Sequence, residues 1–137
     1  MPNPIAVQGF DHIVLRVTNK PKMLAFYLDV LGLSVDRDRP ELGLTHIRAG
    51  RQMIDLVTLD GPLGRLGGAG PGREGRNLDH FALQVRPFDE PAIRAHLARH
   101  GVEVAEEGQR YGADGTGPSL YVRDPEGNTV ELKGPSA

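Results

Sequence analysis

Two eight-residue segments of the chain repeat each other 68 residues apart: Phe10-Asp11-His12-Ile13-Val14-Leu15-Arg16-Val17 and Leu78-Asp79-His80-Phe81-Ala82-Leu83-Gln84-Val85 share Asp, His, Leu and Val at matching places. A repeat of this kind requires a fold built twice from one unit. Downstream of each segment the correspondence continues. Residues 19–32 and 89–101 each read as one helix, opened by a capping Asn19 or Asp89 with an early Pro21 or Pro91, and closed by Gly32 or Gly101. Leu24, Leu28 and Leu31 give the first helix its apolar stripe, and Ile93 and Leu97 give the second theirs. Residues 45–49 and 53–59 read as strands around Gly50-Arg51, and 119–123 and 129–133 as strands around Asp124-Pro125-Glu126-Gly127-Asn128. A further short strand is expected before each pair, near 34–38 and 102–105.

The chain of 137 residues therefore reads as one α+β domain of two repeated modules. Module one covers residues 5–59, a Gly-rich linker 60–77, and module two 78–134. A chain of this size buries roughly two-thirds of the surface its unfolded form exposes, enough for a real core. The linker holds a literal G-x-G-x-x-G in Gly70-Pro71-Gly72-Arg73-Glu74-Gly75. It neither follows a strand nor opens a helix, so it is not read as a nucleotide site. The stretch Arg110 to Pro118 is also Gly-rich and reads equally well as a mobile wall over a substrate or as an ordinary connection.

Composition closes off several functions. Sixteen Lys and Arg against eighteen Asp and Glu leave a net charge of -2, which gives nucleic acid or an acidic membrane nothing to select. No apolar run approaches the roughly 18 residues of a membrane span, and no leader is visible, so a soluble, cytoplasmic protein is expected. With no Cys, any metal must be held by His and carboxylates.

Successive side chains of a strand point to opposite faces. His12, Val14 and Arg16 share one face of the first strand, opposed by Ile13, Leu15 and Val17; His80, Ala82 and Gln84 oppose Phe81, Leu83 and Val85 in its repeat. Asp55 is flanked on its face by Met53 and Val57, and Glu131 by Thr129 and Lys133. Each module thus supplies one His from its first strand and one carboxylate from its last. Two imidazoles and two carboxylates make a donor set suited to one divalent Mn, Fe, Ni, Co or Zn ion with coordination positions left for substrate. Either Asp55 or Glu131 could also act as general base. His46, on a strand, and His96 and His100, on the second helix, read as structural or surface residues.

Asp-His opening a strand in both halves, a carboxylate in both last strands, and the run Tyr121-Val122-Arg123-Asp124-Pro125-Glu126-Gly127-Asn128-Thr129-Val130-Glu131-Leu132 together resemble the vicinal oxygen chelate superfamily, which includes glyoxalase I, bleomycin-resistance proteins, fosfomycin-resistance enzymes and extradiol dioxygenases. The resemblance covers nearly the whole chain, and the Asp-Pro-x-Gly-Asn-x-x-Glu hairpin is its most specific part. It implies paired βαβββ modules whose sheets curl around a metal site, commonly in a homodimer, with that site built within one chain or across two. His12, His80 and Glu131 match the family's metal ligands. Asp55 falls where glyoxalase I-like members have a second glutamate, and with one methylene less it either ligates directly, holds a metal-bound water or orients substrate.

The resemblance implies a small-molecule substrate with vicinal oxygens, handled by a lyase or isomerase through an enediolate. Extradiol-type dioxygenase, antibiotic-modifying thiol transferase and a drug- or metabolite-binding resistance protein are the alternatives. Arg16, Gln84, Arg110, Tyr111, Tyr121 and Lys133 are the candidate substrate-binding residues.

Overall fold

The computed structural model describes residues 3–136. By backbone proximity the chain divides into two compact units: the residues up to Lys20 with Leu33–Gly70, and Pro21–Gly32 with the residues from Pro71 onward. In unit one, β1 (His12–Val17), β2 (Ser34–Arg39), β3 (Leu44–Ala49) and β4 (Gln52–Thr58) form a sheet ordered β1-β4-β3-β2. Strand β1 runs parallel to β4, while β3 is antiparallel to both β4 and β2. In unit two, β5 (Phe81–Gln84), β6 (Glu106–Gly112), β7 (Gly115–Arg123) and β8 (Thr129–Lys133) form a sheet ordered β5-β8-β7-β6 with the same strand senses. The sequence repeat is thus one sheet topology used twice, and the class is α+β.

Alternation places the side chains as the sequence requires. In β1, Leu15 and Val17 are buried while His12 and Val14 are exposed. Strands β4 and β8 are interior in their sheets, and residues on both of their faces are buried: Ile54, Asp55, Leu56 and Val57 in one, and Val130, Glu131, Leu132 and Lys133 in the other. The hairpin joining β7 to β8 turns at Gly127, whose φ of 85° suits a residue without a Cβ.

Both expected helices form. Helix α1 (Lys20–Ala25) continues into a π-helical turn over Phe26–Val30, and α2 (Glu90–Arg99) opens with the Asp89 carboxylate accepting from the Ala92 amide at 3.2 Å. Most of the first helix groups with unit two, although its neighbours in sequence belong to unit one. Two hydrogen bonds tie it there. The hydroxyl of the fully buried Tyr27 donates to Asp124 Oδ2 at 2.7 Å, and His96 Nε2 donates to the Val30 carbonyl at 2.8 Å. Asp124 also accepts from the amides of Glu126 and Asn128 and from Asn128 Nδ2. The β7–β8 turn that resembles the family's hairpin is therefore also the anchor of this helix.

One element lies elsewhere than expected. No strand forms at 102–105 among the described residues; the strand is β6, seven residues further on at its end, and it occupies the Gly-rich stretch read as a wall or connection. Gly112 and Gly115 pair across a two-residue turn, and Asp114 in that turn accepts from Gln84 and Arg86 at 2.8 Å each. The stretch is a pinned β-hairpin, because a two-residue turn flanked by glycines lets both strands run to its tip. Among the described residues, no helix is long and apolar enough to cross a membrane.

Candidate active site

Each unit brings one histidine to one buried carboxylate. In unit two, His80 Nε2 lies 3.2 Å from Glu131 Oε1; in unit one, His12 Nε2 lies 3.9 Å from Asp55 Oδ2. The parallel pairing sets Val14 beside Asp55 and Ala82 beside Glu131, so each histidine, two residues earlier in the chain, lies diagonally from its carboxylate on the face opposite the apolar one. Glu131 and Asp55 are only 5% and 3% exposed, so neither is a solvated surface carboxylate. A buried carboxylate costs several kcal/mol unless its oxygens are satisfied. Glu131 Oε2 accepts from the Ser119 hydroxyl at 2.6 Å, and Asp55 Oδ1 is bonded to His46 Nδ1 at 2.9 Å.

The histidines are oriented in the same way in both units. His12 Nδ1 is held by Asp11 at 2.6 Å and His80 Nδ1 by Asp79 at 2.7 Å, the Asp of each repeated Asp-His pair. The bond to Asp11 is the first cause that raises the His12 pKa above its ordinary value. With Nδ1 engaged, Nε2 is the nitrogen turned to the carboxylate. Metal-ligating histidines usually have this outer carboxylate support, which fixes the ring and its tautomer. The donor chemistry of both pairs fits a divalent ion. Within the described residues, no three His, Asp or Glu side chains already gather into a metal cage.

Around the unit-one pair lies a cavity of about 520 Å³, lined by His12, Val14, Arg16, Leu44, His46, Asp55, Val57, Leu63 and Gly67. The linker supplies part of its wall. Arg16 donates from Nη2 to the carbonyls of Gly64 and Gly68 and from Nη1 to that of Ala69, so the guanidinium fastens the 64–69 segment. A Cβ on Gly67 would sit 2.6 Å from Arg16 Cζ, hence the glycine there. A larger cleft of about 620 Å³ in unit two, beside Phe26, His100 and Arg123, holds none of the His–carboxylate residues.

The remaining candidates divide by unit. Tyr121 is buried, edge-on to His80 at 5.6 Å, with the Arg110 guanidinium 5.5 Å above its ring. Burial first, and then its hydrogen bond to Glu131, raise the Tyr121 phenol pKa, while Arg110 opposes them. Lys133 is buried, Gln84 is bound to Asp114, and Tyr111 is 85% exposed. His96 caps the Val30 carbonyl and stacks on His100, the structural role expected of both.

His46 is the residue whose place the sequence pattern did not reveal. Its signal was present: the two-residue turn at Gly50-Arg51 pairs Ala49 with Gln52, and counting back along both strands sets His46 directly opposite Asp55.

A family model described as the glyoxalase/bleomycin resistance protein/dioxygenase superfamily matches residues 9–132. The chain belongs to this superfamily. Among superfamily relatives, the glyoxalase domain-containing protein RDO1 of Mycosarcoma maydis is 28% identical over 139 aligned residues, covering 93% of this chain and 69% of that protein. The crystal structure of virulence protein STM3117 from Salmonella typhimurium superposes with a TM-score of 0.76 at 22% identity, over 96% of this chain and all of that one. A lactoylglutathione lyase from Agrobacterium tumefaciens superposes with a TM-score of 0.67 at 21% identity, over 96% of each chain. These two likenesses establish the shared fold, and the paired modules that the family resemblance implied are present as two four-stranded sheets.

Proposed function

We propose that the protein is a divalent-metal-dependent lyase or isomerase of the glyoxalase type, acting as a homodimer on a small substrate with vicinal oxygens through an enediolate. The observation that carries this reading is the pair of Asp-supported histidines, each turning Nε2 to a buried carboxylate. In this reading His12, His80 and Glu131 hold the ion, which is Ni, Co, Zn, Mn or Fe by donor type. When bound, the ion supplies a Lewis acid for the substrate's oxygens. Asp55, drawn toward His46, is not a ligand. Ser119 and Tyr121 keep Glu131 oriented, and Tyr121, Arg110 and Lys133 provide polar contacts for substrate. The RDO1 and lactoylglutathione lyase relatives support glyoxalase chemistry in a chain of this fold. Retention of the three ligand-type residues weighs against simple drug sequestration.

Metal analysis of protein purified without added metal tests the reading. Stoichiometric Ni, Co or Zn, lost in His12→Ala and Glu131→Ala, is expected, with no oxygen consumption on catechols. Tightly held iron with ring-cleaving activity, or metal content unchanged in both variants, overturns it. Mixing the His12→Ala and Glu131→Ala proteins tests whether two chains share a site, since only then does metal binding return.

A further inference from the structure

We propose that His46 and Asp55 form a proton-transfer dyad in the unit-one cavity, with His46 Nε2 as the atom that takes a proton from the substrate. The proposal rests on the lyase or isomerase reading above and assigns its base to a residue outside the ligand set. Three observations carry it. His46 lines the cavity with His12, Arg16 and Leu63, and its side chain is 20% exposed. Its Nδ1 is bonded to Asp55 Oδ1 at 2.9 Å, so Nε2, on the other side of the ring, is the nitrogen left for a substrate in the cavity that His46 lines. Asp55 is itself buried on the central strand, so the carboxylate is fixed and cannot swing away from the ring.

The repeat places a comparable pair in each sheet. Opposite the carboxylate of β8 stands Tyr121 on β7; opposite the carboxylate of β4 stands His46 on β3. Each sheet thus faces its buried carboxylate with a ring that can carry a proton, at the same register position. Facing residues of neighbouring antiparallel strands have Cβ atoms roughly 4.5–5.5 Å apart, a span that an aspartate and an imidazole bridge with one hydrogen bond.

A carboxylate bonded to one imidazole nitrogen holds the ring in the tautomer whose other nitrogen is a base, and stabilises the imidazolium that forms. With an α-hydroxycarbonyl substrate, Nε2 takes the proton from the hydroxyl-bearing carbon. The C–H electron pair becomes the second bond between the two carbons, and the carbonyl pair moves to oxygen, giving the enediolate. The hydroxyl proton passes to the former carbonyl oxygen, a carbonyl forms at the first carbon, and the imidazolium returns its proton to the second. Nothing is consumed, and the net change is isomerisation.

Long-range proton–nitrogen correlation spectra of 15N-labelled protein read the tautomer directly. His46 is expected to carry its proton on Nδ1; a proton fixed on Nε2 overturns the dyad. Deuterium uptake from D2O into hydroxyacetone, and into the methylglyoxal–glutathione hemithioacetal, then reads the transfer. His46→Gln is expected to slow uptake roughly 100-fold or more and Asp55→Asn about 10-fold, in the range of general-base removal, with metal content unchanged in both. Wild-type rates in His46→Gln, loss of its metal, or a metal-loaded wild type that labels neither probe overturns the proposal. Loss or retention of metal in His12→Ala and Glu131→Ala reads the ligand assignment separately.

Discussion

Replacing Tyr27 by Phe removes one hydroxyl from the anchor between the first helix and the β7–β8 turn, and leaves the buried ring in place. A hydrogen bond to a charged group contributes roughly 1.5–3 kcal/mol. Asp124 keeps three other donors in the variant, so its carboxylate is not orphaned, and the lower end, about 1.5–2 kcal/mol, is expected. At roughly 2.1 cal/mol/K per residue, unfolding a chain of 137 residues carries about 0.29 kcal/mol/K, so Tm should fall by about 5–7 °C. The pH dependence is a sharper test. Burial first, then the charge of Asp124 and its hydrogen bond, push the Tyr27 phenol far above the ordinary value of about 10. Below pH 10 the phenol is protonated in both states and the stabilisation is complete. Above pH 10 the unfolded phenol ionises while the folded one does not, so wild-type stability falls by about 1.4 kcal/mol per pH unit from this group. Tyr27→Phe lacks that loss. Urea unfolding from pH 8 to 11.5 should show the gap between the two proteins closing near pH 11, by the same relation. A constant gap, or none at pH 8, would mean that the phenol is not a buried donor to Asp124.

Asp11→Asn and Asp79→Asn remove the carboxylates behind His12 and His80. Isothermal titration with Zn or Ni should show affinity weakened about 10-fold each, the low end of the range for such supports because both carboxylates are largely exposed. Unchanged affinity in both would remove the support role. Gly67→Ala drives a methyl against Arg16, and Arg16→Met removes its donors, so the 64–69 amides should exchange with D2O about 10-fold faster in either variant, as local opening becomes easier. The Thr45 hydroxyl first, and the Lys20 ammonium next, hold the Asp38 carboxyl below its ordinary value, so its contribution to stability is present above about pH 4 and is lost as pH falls through the lowered value. In Thr45→Val the Asp38 carboxyl should titrate nearer the ordinary value by NMR.

The parts of the fold legible in the sequence are those fixed by short-range rules. Alternation assigned the two faces of β1 and β5, and glycines marked both helix ends and both tight turns. Strand β6 was illegible because Gly108 and Gly112 suppress strand propensity, and it forms because β7 beside it offers a ladder seven residues long. The grouping of the first helix was hidden for a different reason. It depends on Tyr27 meeting an aspartate 97 positions away, and no periodicity within the helix encodes that contact. His12, His80, Asp55 and Glu131 stand out in the sequence because each has a counterpart at the matching place in the other module. His46 has no histidine counterpart in module two, where Tyr121 stands at its register position, so the same repeat concealed it.

The two His–carboxylate pairs differ in reach. Glutamate, one methylene longer, brings Glu131 Oε1 to 3.2 Å from His80 Nε2 while its other oxygen rests on Ser119, a neutral hydroxyl. Aspartate stops Asp55 Oδ2 at 3.9 Å from His12 Nε2 and gives its other oxygen to an imidazole. Both carboxylates thus face an imidazole, and the second oxygen differs: a hydroxyl donates to it in Glu131, whereas in Asp55 it stands off from the His12 ring. On the proposed reading, one methylene thus separates Glu131, a ligand beside His80, from Asp55, which reaches His46 more closely than His12. The two carboxylates nevertheless hold the same register position in the repeated sheet, each facing a ring on the neighbouring antiparallel strand.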